Sequence, residues 1–505
     1  MRRIALALAV VLTLAGCPEQ RPAQSPRRPP QGALAAGAGA LPDVLSVKRP
    51  EGPEWFGLYL VGKKAGWTRT ELHRELRDGK DVLVGRTEML IRATVGGNEV
   101  ERRQEEERVW EARTGGRLLS FRAAWKGDGG DRTVTGSCEK TTCRVTLVAG
   151  AAREERNVEN VRETAELADG ARLAAARRSA VIGGQIDLEK LRVREVRDQF
   201  VRRETIAGAG VAEEISVVSE AEPGDRIAAE YRVADDGRVV EIRLGDAIVA
   251  RPEPEETARR LDKIDLFALA RVPLPRALPR EVPRTIVYRL AGLPASFHKG
   301  DARQRFERGP DGTTLLSVTA RRPAAADAGR DTPLARARAG AAEEDLAVTP
   351  QVNWDAPGIA ALARQVAGDA KGTYEAARRL SEHVHGRLEK VYGASHDRAS
   401  EVLEAGKGDC TEHTVLLVAL ARALGIPARA VHGLVYAQYG DGQPALYWHA
   451  WPEVRSAGEW IPLDPTFGQP VADATHVALG SGTQVDTVGL LGTVKVLAVE
   501  VREVK

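Results

Sequence analysis

From Trp55 to about residue 290 the chain is written in short alternations of apolar and polar residues, the period-two pattern of half-buried strands. Residues 55–62 (WFGLYLVG), a Lys63-Lys64 turn and then Ala65-Gly66-Trp67 predict a hairpin. Further strand-like runs fall at 82–84, 88–94, 108–111, 118–125, 143–147, 226–233, 239–244 and 284–290. Two tracts, 165–180 and 254–269, are helical by composition. Residues 51–320 are therefore expected to be β-rich, as one large curved sheet or two smaller domains. No clustered constellation of chemically active residue types stands out there. A spacer that presents another domain is expected, ahead of a binder of partner, lipid or polymer.

Residues 321–350 carry Ala, Arg and Asp with prolines and no period, and read as a linker. Beyond it the period becomes helical, at 359–367, at 373–388 and, behind a capping Asp397, at 398–405. From Thr411, the residues Val415, Leu416, Val418, Ala419, Leu420, Ala423 and Leu424 recur at helical spacing and form a broad apolar face. Gly425 stops this helix, with Pro427 just beyond. Strands are expected at 428–435 and 445–454, with a turn over Ser456-Ala457-Gly458 into 460–463. The chain is thus expected to be α+β: a β-rich region followed by a mixed domain over 351–505.

The mixed domain holds the candidate chemistry. Gly406 and Gly408 allow the tight backbone that leads to Cys410, and Asp409 can cap the helix that Cys410 opens. At that positive helix end a thiolate is favoured and the thiol pKa is expected to fall. His449 stands mid-strand and Asp464 ends the next strand of the same hairpin, so the two can come within hydrogen-bond reach. Thiol, imidazole and carboxylate are a nucleophile, its base and the base's orienter. His413, one turn after Cys410, is the rival base. Glu412 is expected to point away from the sulfur, where its charge would oppose a thiolate. Trp448 and Trp451 are expected on the strand face opposite His449, mostly as core. Tyr392 and His396 are candidates by position for an oxyanion donor beside the Cys410 backbone N–H. Zinc held by Cys410, His413, His449 and Asp464 is the sharpest alternative to thiol chemistry, though nothing in the spacing demands it.

Gly408-Asp409-Cys410, Gly425-Ile426-Pro427-Ala428-Arg429, His449-Ala450-Trp451 with Glu453, and Trp460 leading to Asp464-Pro465-Thr466 stand in one order along the chain. In these motifs the C-terminal part resembles the transglutaminase-like superfamily of papain-fold thiol enzymes. The resemblance implies Cys410 as nucleophile, His449 as base and Asp464 as its orienter. It implies acyl transfer from an amide through a Cys410 thioester, to water (a peptidase or amidase) or to an amine (a transamidase). No cofactor or metal is expected. The calcium dependence of some animal transglutaminases finds no support in Tyr439-Gly440-Asp441-Gly442, which lacks the spaced carboxylates of a calcium loop. The competing class is a catalytically inactive binding or scaffolding module that keeps the fold.

Composition and the N-terminus add a location. The 73 basic and 71 acidic residues nearly cancel, and aromatics are 5 %, which argues against nucleic acid as partner. Arg2-Arg3, an apolar run over 4–12 and then Leu14-Ala15-Gly16-Cys17 read as an export signal over 1–16. Leu-Ala-Gly-Cys resembles the bacterial lipoprotein signal, which implies cleavage before Cys17 and a lipid on its sulfur. Residues 17–50, rich in Pro, Gln and Ala, read as a disordered tether. The expected setting is the bacterial cell envelope, with a protein or peptide substrate there and the membrane reached through Cys17. Cys138 and Cys143, five apart across a turn, are expected to form a disulfide in that oxidising compartment.

Overall fold

The computed structural model describes residues 42–502 except 128–130, 151, 208–211, 223–226, 280, 282, 299, 328, 394, 395, 397, 439–441 and 482–489. The export signal, Cys17 and the first part of the tether lie outside the described residues, as does most of the 439–442 turn. The last part of the expected tether is packed: Val44 is fully buried and Val47 nearly so. Arg177 Nε donates to the Pro42 carbonyl at 2.6 Å. Apolar residues at 44, 45 and 47 give this end of the expected tether a surface to bury.

Alternation along 54–252 produces one antiparallel sheet of fourteen strands. Eight strands meander from Glu54–Leu60 to Ala152–Val158, and six more from Ala180–Asp187 to Ile248–Pro252. The two meanders join where the first strand of one pairs with the last of the other, with Leu58 opposite Ala250. A short 3-10 turn and the helix Gly170–Arg177 connect the free ends and pack on the sheet. The helix is shorter than composition suggests: Arg178 takes a left-handed φ of 51°, and a strand begins at Ala180. The second helical tract, 254–269, yields only the short helices Glu255–Ala258 and Leu266–Ala270.

Two apolar clusters fill the inner face. One joins Phe56, Leu58, Met89, Ile91, Tyr231 and Ile242 to Leu173 and Ala174 of the helix. The other gathers Trp110, Phe121, Trp125, Val145 and Leu147 around the Cys138–Cys143 disulfide, which spans facing positions of neighbouring strands. Buried ion pairs lie beside these clusters. Arg108 donates to Glu106 at 2.7 Å, to the Ile186 carbonyl at 2.7 Å and to Glu163. Arg172 makes a forked pair with Glu54 at 2.8 and 2.7 Å. A polar cavity of about 60 Å³ beside Arg108 and Arg172 has room for a few water molecules.

Residues 253–270 still pack on the large sheet, and from Val272 the chain is woven into the C-terminal part. Strands Gln304–Arg308, Thr314–Thr319 and Thr285–Ala291 form a sheet closed by Lys495–Arg502. The expected linker is docked: Asp331 accepts the Tyr374 and Glu375 N–H groups at 2.9 and 3.1 Å, capping the helix Thr373–Arg387. Three helices, Ile359–Ala367, Thr373–Arg387 and Ala399–Ala405, surround a fourth, Cys410–Ala423. That fourth helix is buried on nearly every side, from Thr411 to Arg422. Its apolar stripe widens to a full circumference because helices cover one side and a sheet the other. The sheet runs in the order Val272–Pro273, Ala445–Ser456, Ala428–Ala437, His476–Ser481, with Glu459–Pro462 paired to the far end of Ala445–Ser456. Among the described residues, no helix is long and apolar enough to cross a membrane.

Candidate active site

The backbone before Cys410 is shaped by glycine. Gly406 ends the preceding helix at φ 65°. At Gly408 a Cβ would stand 2.2 Å from the Glu412 Cβ. Asp409 caps the new helix, its Oδ1 accepting the Thr411 N–H at 3.0 Å. Glu412 Oε2 reaches back to the Asp409 N–H at 2.9 Å, completing a capping box. Glu412 Oε1 takes the His396 N–H at 3.1 Å. This turns the Glu412 carboxylate group toward the capping turn. Burial holds the Glu412 carboxyl well above its ordinary range, and the adjoining Asp409 adds to this.

Cys410 itself is half-buried, and its sulfur accepts the backbone N–H of Ala450, the residue after His449. Helix and His449 strand are thereby in contact at the sulfur. The expected drop in thiol pKa is reversed. Burial and then the Asp409 carboxylate push the thiol well up, against the Ala450 N–H that favours the thiolate. A helix terminus offers a fraction of a charge, and desolvation of the sulfur outweighs it here.

His449 lies opposite Gly433 in the sheet. A Cβ on Gly433 would stand 2.0 Å from the Val477 carbonyl and 2.9 Å from the Trp451 ring, so only glycine fits there. Trp451 stacks on His449 with ring centroids 5.9 Å apart. It therefore shares the His449 face and not the opposite one, as residues two apart on a strand must. Trp448 does point away, its Nε1 donating to the Ala270 carbonyl at 2.9 Å. Phe467 covers another side of the His449 ring, at 5.1 Å between centroids.

Asp464 follows the strand Glu459–Pro462 and is wholly buried. Its Oδ1 accepts the Thr466 and Phe467 N–H groups at 2.7 and 3.1 Å, an Asx turn that fixes the carboxylate. Its Oδ2 accepts His449 Nε2–H at 2.7 Å. With Nε2 committed as donor, Nδ1 is the nitrogen of His449 that can take a proton. The same Oδ2 accepts a second ring, His476 Nε2–H, at 2.9 Å. Burial alone would raise the Asp464 carboxyl, but the two imidazoles outweigh it and hold it far below the carboxylate range.

His449 and Asp464 are thus bonded to each other, and Cys410 meets the His449 strand at Ala450. His413 is turned elsewhere: its Nδ1–H donates to the Asp409 carbonyl at 2.6 Å, and burial lowers its pKa to about 4. The ligand atoms of His449, Asp464 and His476 all lie within 4.8 Å of one another. Each ring, however, aims an N–H at the same oxygen, which makes the set a hydrogen-bonded network. Tyr392 presents its ring edge-on to Phe267 at 5.0 Å and its carbonyl to Asn98 at 2.9 Å. His396 engages the site through its backbone bond to Glu412. The β-rich region therefore packs against the segment just before Cys410.

His476 and Asp473, which bonds to it at 3.2 Å, were not singled out by motif or spacing. The trace they leave in the sequence is modest: turn-forming Asp473-Ala474-Thr475 before an alternating His476-Val477-Ala478-Leu479.

Residues 360–465 match the family model of the transglutaminase-like superfamily. Among solved structures, the chain is similar to a candidate cysteine protease from Cytophaga hutchinsonii at 15 % identity, over 44 % of this chain and 84 % of that one, with a TM-score of 0.29. A candidate protease from Parabacteroides distasonis is 11 % identical, over 70 % of this chain and 68 % of that one, with a TM-score of 0.18. Likeness at that level carries no argument about activity. No curated protein matches the chain.

Proposed function

We propose that this chain, whose residues 360–465 match the family model of the transglutaminase-like superfamily, is a thiol enzyme that transfers an acyl group from an amide or peptide through a thioester on Cys410. The observation that carries the proposal is the buried Asp464–His449 bond of 2.7 Å beside a sulfur seated on the Ala450 N–H. A thiol held up by its surroundings needs a base, and His449 Nδ1 is the nitrogen available for the task. The Cys410 proton passes to Nδ1 as the sulfur attacks the amide carbonyl carbon. Negative charge gathers on the carbonyl oxygen, where the Cys410 N–H at the helix start is one donor. The C–N bond then breaks, the imidazolium returns the proton to the departing amine, and the acyl group remains on sulfur. Water or a second amine, deprotonated by Nδ1, releases it. Asp464 keeps Nε2 protonated throughout and balances the imidazolium charge.

The test is intact-mass analysis of the chain quenched during incubation with peptide amides, with and without an added primary amine. A mass increase localised to Cys410, absent in Cys410→Ala, supports the proposal. Ammonia release without any adduct at Cys410 refutes it. The fate of the acyl group, free acid or new amide, separates hydrolysis from transamidation.

The raised Cys410 thiol favours one second reading, a module that keeps the fold to bind and does not turn over. Such a module would form no adduct at Cys410. We further propose that the chain is exported and held at a membrane through a lipid on Cys17, on the strength of Leu14-Ala15-Gly16-Cys17. Membrane fractionation of Cys17→Ser checks this. An unchanged membrane fraction overturns it.

A further inference from the structure

Building on the thiol-enzyme reading, we propose that His476 is a positioning residue for this site: a buried imidazolium, clamped by Asp473, that fixes Asp464 and shares its charge with His449. His476 opens the strand His476–Ser481, fully buried on the same sheet face as His449, with the two rings 5.8 Å apart. Its Nε2 lies 2.9 Å from Asp464 Oδ2 and its Nδ1 lies 3.2 Å from Asp473 Oδ1. Both partners are carboxylates, which only accept hydrogen bonds. A neutral imidazole has one N–H and could satisfy one of them, so both contacts together require the doubly protonated ring.

Asp473 is itself built to stay ionised. It accepts the Thr475 N–H at 2.8 Å and Gln469 Nε2 at 2.7 Å, and Arg303 stands close by, donating to its backbone carbonyl at 2.7 Å. Burial would raise the Asp473 carboxyl, but His476 and Thr475 bring it down to about 2. Burial would likewise lower His476, and the two carboxylates overcome this and raise it. The charged and titratable groups around the ring are Asp464, Asp473 and His449, with Arg303 and Tyr288 interacting with Asp473 in turn. Trp451 and Phe467 close the remaining sides at 5.2 and 6.4 Å between centroids.

The consequence is a tuned base. Asp464 Oδ2 takes an N–H from both rings, so the pull of its charge is divided between His449 and His476. A cation on that oxygen weakens the attraction between the carboxylate and His449, and its loss strengthens it. Removing the charge while keeping the hydrogen bond should therefore shift the pH at which Cys410 becomes reactive.

His476→Gln does this, since its amide can still donate to Asp464. The readout is the rate of Cys410 alkylation by iodoacetamide between about pH 5 and pH 9, in a background of Cys17→Ser. The acid limb of the profile should move to higher pH by about one unit in His476→Gln. A limb that stays in place in the folded variant overturns the proposal. Histidine-ring nitrogen NMR of the chain with His476 intact supplies a second measurement if the variant does not fold. At pH 7.5 a buried ring with two slowly exchanging N–H protons supports the imidazolium; only single-tautomer neutral rings in the core contradict it. If the His476 chain shows no His449-dependent reactivity at all, the enzyme reading fails, and the NMR result still decides the state of His476.

Discussion

Asp464→Asn tests how much of the site hangs on a single side chain. The carboxylate takes four N–H donors: Thr466 and Phe467 on one oxygen, His449 and His476 on the other. Asparagine has the same shape but offers one oxygen and one NH₂ group. Whichever way it is turned, one pair of buried donors faces another donor. Two buried N–H groups without acceptors cost about 2–6 kcal/mol. Part of that returns because a charge is no longer buried, leaving about 2–4 kcal/mol. Urea unfolding followed by tryptophan fluorescence at pH 7.5 measures the difference. The native Asp464 pKa is depressed, so its contribution is present above the unfolded carboxyl pKa near 4 and is lost as pH falls below that value. The gap between the two proteins should accordingly narrow below about pH 4. Turnover should fall by about three to four orders of magnitude, since nothing then holds His449 in the required tautomer. Equal unfolding free energies, with activity within tenfold, would refute the reasoning.

In the β-rich region, Arg108→Met strands Glu163 and Glu106 without their cation, and the unfolding free energy should drop by about 3–5 kcal/mol. Replacing Arg108 and Glu163 together by apolar residues should recover much of the loss in the same denaturation assay. At His413 the native pKa of about 4 lies below the unfolded value near 6.5. Its contribution is therefore present above pH 6.5 and lost as pH falls toward 4, by up to about 3 kcal/mol. His413→Asn should show a correspondingly shallower fall in stability between pH 7 and pH 4.5.

What could be read from the sequence follows from how local each feature is. The Cys410 helix announced itself because its glycines, cap and apolar period all fall within twenty residues. His449 and Asp464 lie on one hairpin, so spacing along the chain translates directly into proximity. The pairing of Glu54–Leu60 with Ile248–Pro252, which unites fourteen strands into one sheet, joins segments far apart in the chain and carries no local mark. The same is true of Lys495–Arg502, which leaves the mixed domain to pair with Thr285–Ala291. His476 escaped notice because its role depends on that kind of long-range register, Val435 with His476, and not on a motif. The thiol expectation failed for a different reason. Sequence shows that Cys410 starts a helix, but not how deeply the fold buries the start of that helix.

The central claim is that Cys410 and His449 act as one unit, and the alkylation rate of Cys410 at pH 7 in the chain with and without His449→Ala tests it most directly. A thiol pushed up by burial is unreactive alone, so its reactivity must come from proton transfer to Nδ1. The account predicts that His449→Ala slows the reaction by about a hundredfold or more, with the remaining rate rising only as the pH approaches the thiol's own high pKa. An unchanged rate in folded His449→Ala would contradict it.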